Sequence, residues 1–108
     1  MSDWTPVATL SGIPDGKGVR VPFGDSTVLL VRSGERVHAI GNRCTHQGAS
    51  LDRGPVKVGG SLATVTCPAH GSIFGLEDGR VLRGPATKPV GSYDVRITEG
   101  SVEIRPRS

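Results

Sequence analysis

The apolar residues of this chain come only in short runs rich in Val, Ile and Thr, and glycine or a small polar step closes nearly every run. TPVATL, GVRVPF, STVLLVR and RVHAIG read as strands, followed in the second half by LATVT, SIFGLE, GRVLRG, YDVRIT and SVEIR. The separators SGIPDGKG, GDS and SGE read as tight connections, as do the Asp-Gly step at 78–79 and the Glu-Gly step at 99–100. No stretch keeps an apolar period of 3.6 between caps, although SLDRG at 50–54 has room for a single helical turn. Such punctuation dictates an antiparallel all-β fold whose sheets are closed or sandwiched to protect their edges.

Glycine and proline fill 16 and 8 of the 108 positions, which reserves much of the backbone for turns but leaves enough apolar sequence for one compact domain. The net charge of +3 is mild, its carriers are scattered along the chain, and Arg105 and Arg107 close it. Nucleic-acid binding would call for a basic stripe with aromatics among the cations, whereas Trp4 and Tyr93 stand alone. No apolar run reaches the ~20 residues that span a bilayer, and no export signal follows Met1, so the sequence reads as a cytoplasmic protein without a transmembrane segment. Trp4 and Phe23 read as packing residues, and His38, inside RVHAIG, as an ordinary strand histidine.

Two segments do not read as strands. They are GNRCTHQGASLDRG at 41–54 and CPAHGS at 67–72, and a third irregular stretch, GPATKP, follows at 84–89. The first two hold both cysteines and two of the three histidines, as C-x-H-x20-C-x2-H: Cys44, His46, Cys67 and His70. A Cys44–Cys67 disulfide would leave the histidines unexplained, and a cysteine nucleophile with a histidine base would need only one of the two pairs. A structural zinc shell fits the four donors, yet zinc fingers group their cysteines in one knuckle and their histidines on a helix. One thiol and one imidazole per loop also suits a site with two unlike metal positions, one taking both cysteines and the other both histidines.

The same residues resemble the Rieske iron–sulfur family, through C-x-H and C-x-x-H, THQGASL, CPAHGS, the F-x-L-x-D-G-x-V hairpin at 74–81 and GPATKPV. The resemblance implies an all-β Rieske fold in one domain, 1–108: an antiparallel β-sandwich base of 1–42 plus 87–108, with a small cluster-binding subdomain of 43–86 inserted. The segment between the ligand pairs is a few residues longer than in ferredoxin-type members, which predicts an enlarged turn around GPVKVGG. One [2Fe-2S] cluster is implied, its inner iron on Cys44 and Cys67 and its outer iron, nearer solvent, on His46 and His70. Around it the resemblance places Gln47, Gly48, Ala49, Ala69, Gly71, Ser72, Phe74 and Pro85. Ala49 and Ala69 stand where quinol-oxidising members carry a disulfide. Ser72 fits a serine that donates to a cluster sulfur, Phe74 replaces a tyrosine donor, and Gln47 is placed to meet either a redox partner or water.

Imidazole ligands leave the oxidised cluster about neutral where four thiolates would make it about 2−, so an electron enters more easily; such clusters lie at roughly −150 to +300 mV against about −400 mV for plant-type ones. The function implied is a one-electron carrier between a reductase and an acceptor such as an oxygenase or cytochrome, with no catalytic residue. It is not an oxygenase, since only His38 remains for a second iron site. The alternatives are a relay domain or subunit of a larger membrane-associated redox complex, which the sequence pI near 9.3 favours, and a non-redox zinc module.

Overall fold

The computed structural model describes residues 4–59 and 62–107. Its strands are β1 (Thr5–Thr9), β2 (Gly18–Phe23), β3 (Ser26–Ser33), β4 (Arg36–Gly41), β5 (Val56–Lys57), β6 (Thr64–Thr66), β7 (Ile73–Gly75), β8 (Val81–Arg83), β9 (Tyr93–Thr98) and β10 (Ser101–Pro106). All pairings between them are antiparallel, as the sequence predicts. They form three sheets in the orders β1-β10-β9, β2-β3-β4 and β5-β6-β7-β8. The Glu99-Gly100 step joins β9 to β10 with φ of 51° and 82°, the paired positive angles that suit a two-residue hairpin turn.

The chemistry of β3 explains how the sheets stack. Val28, Leu29, Leu30 and Val31 form an unbroken apolar run, and all four are fully buried. Strand alternation sends Val28 and Leu30 to one face, where they meet Val21, Val37, Ala39, Val102 and Ile104. Leu29 and Val31 go to the other, with Ile40, Leu51, Val65, Phe74 and Leu76. The β2-β3-β4 sheet is therefore a middle layer with apolar contacts on both sides, each buried Leu or Val worth about 1.5–3 kcal/mol. At its edge β4 meets the β9 side, through the Ile40–Ser92 bridge and a 2.8 Å bond from the Gly41 N–H to the Gly91 carbonyl.

Packing settles the aromatic residues as the sequence suggests. Phe23 lies edge-on to Tyr93 at 5.4 Å, and the Trp4 ring is covered by the Arg96 and Arg105 guanidinium groups. One strand is unanticipated. Val56–Lys57 sits inside GPVKVGG, which reads as an enlarged turn, but Val56 pairs with Val65 and Lys57 with Thr64. Two residues are too few to show alternation, so only the partner strand reveals β5. Gly60, the last residue of that turn, lies outside the described residues. SLDRG does contain a single 3₁₀ turn, Leu51–Arg53, and a second such turn covers Leu10–Gly12.

Candidate metal centre

Cys44 and Cys67 each open a loop that closes in the same way. The Cys44 N–H donates to the Ala49 carbonyl at 2.9 Å, and the Cys44 carbonyl accepts from the Gly48 N–H at 2.8 Å. The Cys67 N–H donates to the Ser72 carbonyl at 2.7 Å, and the Cys67 carbonyl accepts from the Gly71 N–H at 3.1 Å. Gly48 and Gly71 have φ of 76° and 82°, a region that disfavours every residue with a Cβ. The two frames match position for position. Only the histidine moves, from the second residue after the cysteine in the first loop to the third in the second.

The fold sets like side chains side by side. Cys44 and Cys67 are buried free thiols, 2 % and 3 % exposed, within hydrogen-bonding contact of each other. His46 and His70 are exposed, their ring centroids 5.2 Å apart and their planes at 89°. Thiol thus faces thiol inside, and imidazole faces imidazole at the surface. Among the described residues no three His, Cys, Asp or Glu side chains are placed to share one ion. Burial, and then the neighbouring Cys67 thiol, push the Cys44 thiol pKa up, while the His46 and Gln47 backbone N–H groups bond to its sulfur and pull it down. Two water-excluded thiols with amide donors on one sulfur, and two imidazoles outside them, fit a two-iron cluster with soft ligands on one iron and imidazoles on the other.

The third stretch ties the two loops together. Ser72, fully buried, accepts a 3.0 Å bond from the Ala86 N–H, and the Thr45 hydroxyl donates to the Lys88 carbonyl at 2.6 Å. Pro85, exposed, directly precedes Ala86 and follows a cis Gly84–Pro85 bond. Phe74 is buried in the apolar cluster that also holds both thiols, and half-buried Ala49 packs against it. Gln47 and Ala69 are exposed.

Sequence reasoning overlooks Asn42 and Asp52. The Asn42 side chain, 1 % exposed, donates to the Asp52 carboxylate at 2.8 Å and accepts the Asp52 N–H at 2.9 Å. The Asn42 carbonyl accepts from the Leu51 N–H, so the 3₁₀ turn is bound to the backbone two residues before Cys44. The available signal was an Asn directly after a strand, which equally describes a solvated turn. Gly54 is the other hidden contact. A Cβ there would lie 1.8 Å from the Thr66 carbonyl oxygen and 3.1 Å from Pro68 Cδ, so the turn rests directly on the second loop.

Two matched loops with thiols inward and imidazoles outward, mounted on stacked antiparallel sheets, define a small all-β iron–sulfur protein. The chain belongs to the Rieske [2Fe-2S] domain family, whose model matches residues 3–94. It is 35 % identical, over 91 % of its length and 90 % of the relative's, to the 3-phenylpropionate/cinnamic acid dioxygenase ferredoxin subunit of Photorhabdus laumondii. Its fold is similar to the ferredoxin of carbazole 1,9a-dioxygenase from Nocardioides aromaticivorans, with a TM-score of 0.90 and 30 % identity over 98 % of this chain and 100 % of that one. It also resembles the nitrite reductase [NAD(P)H] small subunit of Erwinia carotovora, with a TM-score of 0.77 and 33 % identity over 96 % and 82 % of the two chains. The chain is a Rieske electron carrier whose cofactor is one [2Fe-2S] cluster, and the zinc-module reading falls away.

Proposed function

We propose that Cys44 and Cys67 hold one iron of the cluster and His46 and His70 the other, and that the chain carries single electrons from a reductase to an oxygenase-type acceptor. The arrangement of the four side chains carries this reading: buried thiols in mutual contact, and exposed imidazoles 5.2 Å apart. When bound, the cluster supplies a one-electron couple at roughly −150 to +300 mV. The protein holds it with both thiols out of water and leaves the imidazole edge open to a partner. The Ser72 hydroxyl, having accepted the Ala86 N–H, keeps its own proton for a sulfur, whereas Phe74 has none to give. Donors to sulfur favour the reduced form, which carries more negative charge. The names of the similar proteins support the acceptor class, since two of them are dioxygenase ferredoxins.

No helix among the described residues is long and apolar enough to cross a membrane, and we place the carrier in the cytoplasm. We also read 43–86 as the cluster-binding subdomain and 1–42 plus 87–108 as the base; both ligand loops and the β5-β6-β7-β8 sheet fall within the first range. The likeness to a nitrite reductase small subunit favours a second reading, in which the chain is the electron-entry subunit of a larger reductase.

The test is anaerobic purification followed by iron and sulfide analysis, then reconstitution with a flavoprotein reductase, NADH and an aromatic-ring dioxygenase. Equal amounts of iron and sulfide, and dioxygenation that needs this chain, are expected. His46→Cys should keep a visible cluster and lower its potential towards plant-type values. A colourless zinc protein would overturn the ligand assignment, and nitrite reduction without any dioxygenation would select the second reading.

A further inference from the structure

The net charge of this chain resides at its cluster end. Segments 41–54, 67–72 and 84–89, together with Arg83, the last residue of β8, which leads into the third of them, hold Arg43, Arg53, Arg83 and Lys88 against the single carboxylate Asp52. The remaining positions balance, nine Lys or Arg against nine Asp or Glu out of 13 and 10 in the whole chain, so the loop segments with Arg83 account for the entire +3. Structure sharpens the asymmetry. All four cations are exposed, and none makes an ion pair among the described residues. The ion pairs lie elsewhere, on Asp78, Asp94 and Glu103. Asp52 is turned inward onto Asn42.

Each of these cations lies on or beside one of the loops that carry Cys44, His46, Cys67 and His70, or on the stretch that ties those loops together. Arg43 precedes Cys44 and lies along Gly48, and the Lys88 carbonyl receives the Thr45 hydroxyl. Arg83 pairs with Ile73 at the foot of the second loop, and Arg53 adjoins Gly54, which abuts Pro68. The exposed residues that flank the histidines in the chain are uncharged: Thr45 and Gln47 on either side of His46, and Pro68 and Ala69 before His70.

We propose that this surface docks a redox protein whose electron-entry site is ringed by carboxylates, with Arg43, Arg53, Arg83 and Lys88 as the steering charges and the uncharged residues beside the histidines as the contact. The proposal rests on the placement of the cluster at His46 and His70. Opposite charges accelerate encounter and fix orientation, and they lose force as salt screens them beyond a Debye length of about 10 Å at 0.1 M. A bound cluster, about neutral when oxidised and 1− when reduced, leaves this surface positive.

Holoprotein reduced by one electron can be reoxidised by tris(oxalato)cobaltate(III), an anion, or by tris(phenanthroline)cobalt(III), a cation; each encounter moves one electron to Co(III) and yields Co(II). The anionic oxidant should slow by about tenfold or more as ionic strength rises from near zero to physiological, and the cationic one should not slow. Arg43, Arg53, Arg83 and Lys88 changed together to Gln should remove most of the salt dependence. The same change at Lys17, Arg20, Arg36 and Arg80, equal in charge but outside the loop segments, should leave it in place. Poly-L-glutamate, but not poly-L-lysine, should slow the reaction with either oxidant. Failure to obtain a visible cluster would defeat the ligand assignment itself. An intact cluster spectrum with equal salt slopes in the two quadruple variants, or competition by poly-L-lysine, would overturn this proposal alone.

Discussion

The two cysteine–histidine loops share one backbone frame and are braced by unrelated means. Each is closed by a cysteine N–H reaching five residues on and by a glycine N–H returning from the fourth. The first hangs on the buried Asn42 amide and its bonds to Asp52, and the second on the Ser72 hydroxyl and the close approach of Gly54. The frame depends on backbone angles that glycine permits, so it can recur wherever a glycine stands four residues after a cysteine. The braces depend on whatever the fold happens to place alongside. Equal frames and unequal braces predict that changes in the braces will act loop by loop, whereas changes in the frame will act alike on both.

Gly54 should give the largest effect because it joins the two loops. A methyl group there would meet the Thr66 carbonyl oxygen at 1.8 Å, and both sides of the clash are backbone, which cannot rotate away. Gly54→Ala should lower stability by about 3 kcal/mol or more and release the cluster, read by urea unfolding and by visible absorption. Gly24→Ala, at φ +60° but with nothing within 4 Å, provides the comparison at about 1 kcal/mol. Matching midpoints for the two variants would show that the turn does not bear on the second loop.

Next come the braces. Asn42→Leu keeps the bulk but strips the Asp52 carboxylate of its donor and the Asp52 N–H of its acceptor, at about 1–3 kcal/mol. Hydrogen exchange should quicken at Leu51 and Gly48 in the first loop and stay unchanged at Gly71 in the second. Ser72→Ala removes the acceptor for Ala86 and the hydroxyl proposed to face sulfur. A donor to anionic sulfur worth about 1–2 kcal/mol more on reduction corresponds to a potential lowered by roughly 40–90 mV. Protein-film voltammetry reads this directly, and an unchanged potential would leave Ser72 as a brace alone.

The frame glycines should behave as equals. Gly48 and Gly71 have nearly the same positive φ, and an added Cβ would meet only the Arg43 side chain at ordinary distance in one case and nothing within 4 Å in the other. Each Ala variant should cost about 1 kcal/mol, and a difference larger than that between them would break the equivalence of the loops.

What the sequence reveals follows the same division. The strands at 18–23, 36–41 and 93–98 coincide with apolar runs, because local punctuation and the demand for burial agree there. The ligand spacing identifies the loops, and SLDRG the 3₁₀ turn. Spacing alone leaves thiol with thiol as one arrangement among several, and only the family resemblance singles it out, since the contact itself arises when two loops far apart in the chain are set side by side. Asn42 is hidden because a buried amide and a solvated one look alike in one dimension. The cations, too, read as scattered along the chain until the fold brings together the loops that carry four of them.

The smallest effect lies outside both loops and measures the base against them. His38 on β4 is half-buried in a cleft of about 320 Å³ lined also by Glu35, Arg36, Glu77 and Arg107. Burial first, then the Arg36 cation, hold its pKa below the ordinary 6.5, with Glu77 opposing them in part. The folded chain therefore binds fewer protons than the unfolded chain as the pH drops through 6.5. Its contribution to stability is complete above that value, declines as the pH falls towards the depressed folded pKa, and is gone below it. Asp94 adds a second window at lower pH: hydrogen bonds from Arg107 and Arg105 depress its pKa below 3.8, so its contribution is present above that value and is lost on further acidification. Urea midpoints from pH 8 to 5 should fall more steeply for the parent than for His38→Gln, and the difference curve removes whatever the loop histidines contribute to both. Parallel curves would mean that the cleft admits enough water to leave His38 as free to titrate as in the unfolded chain.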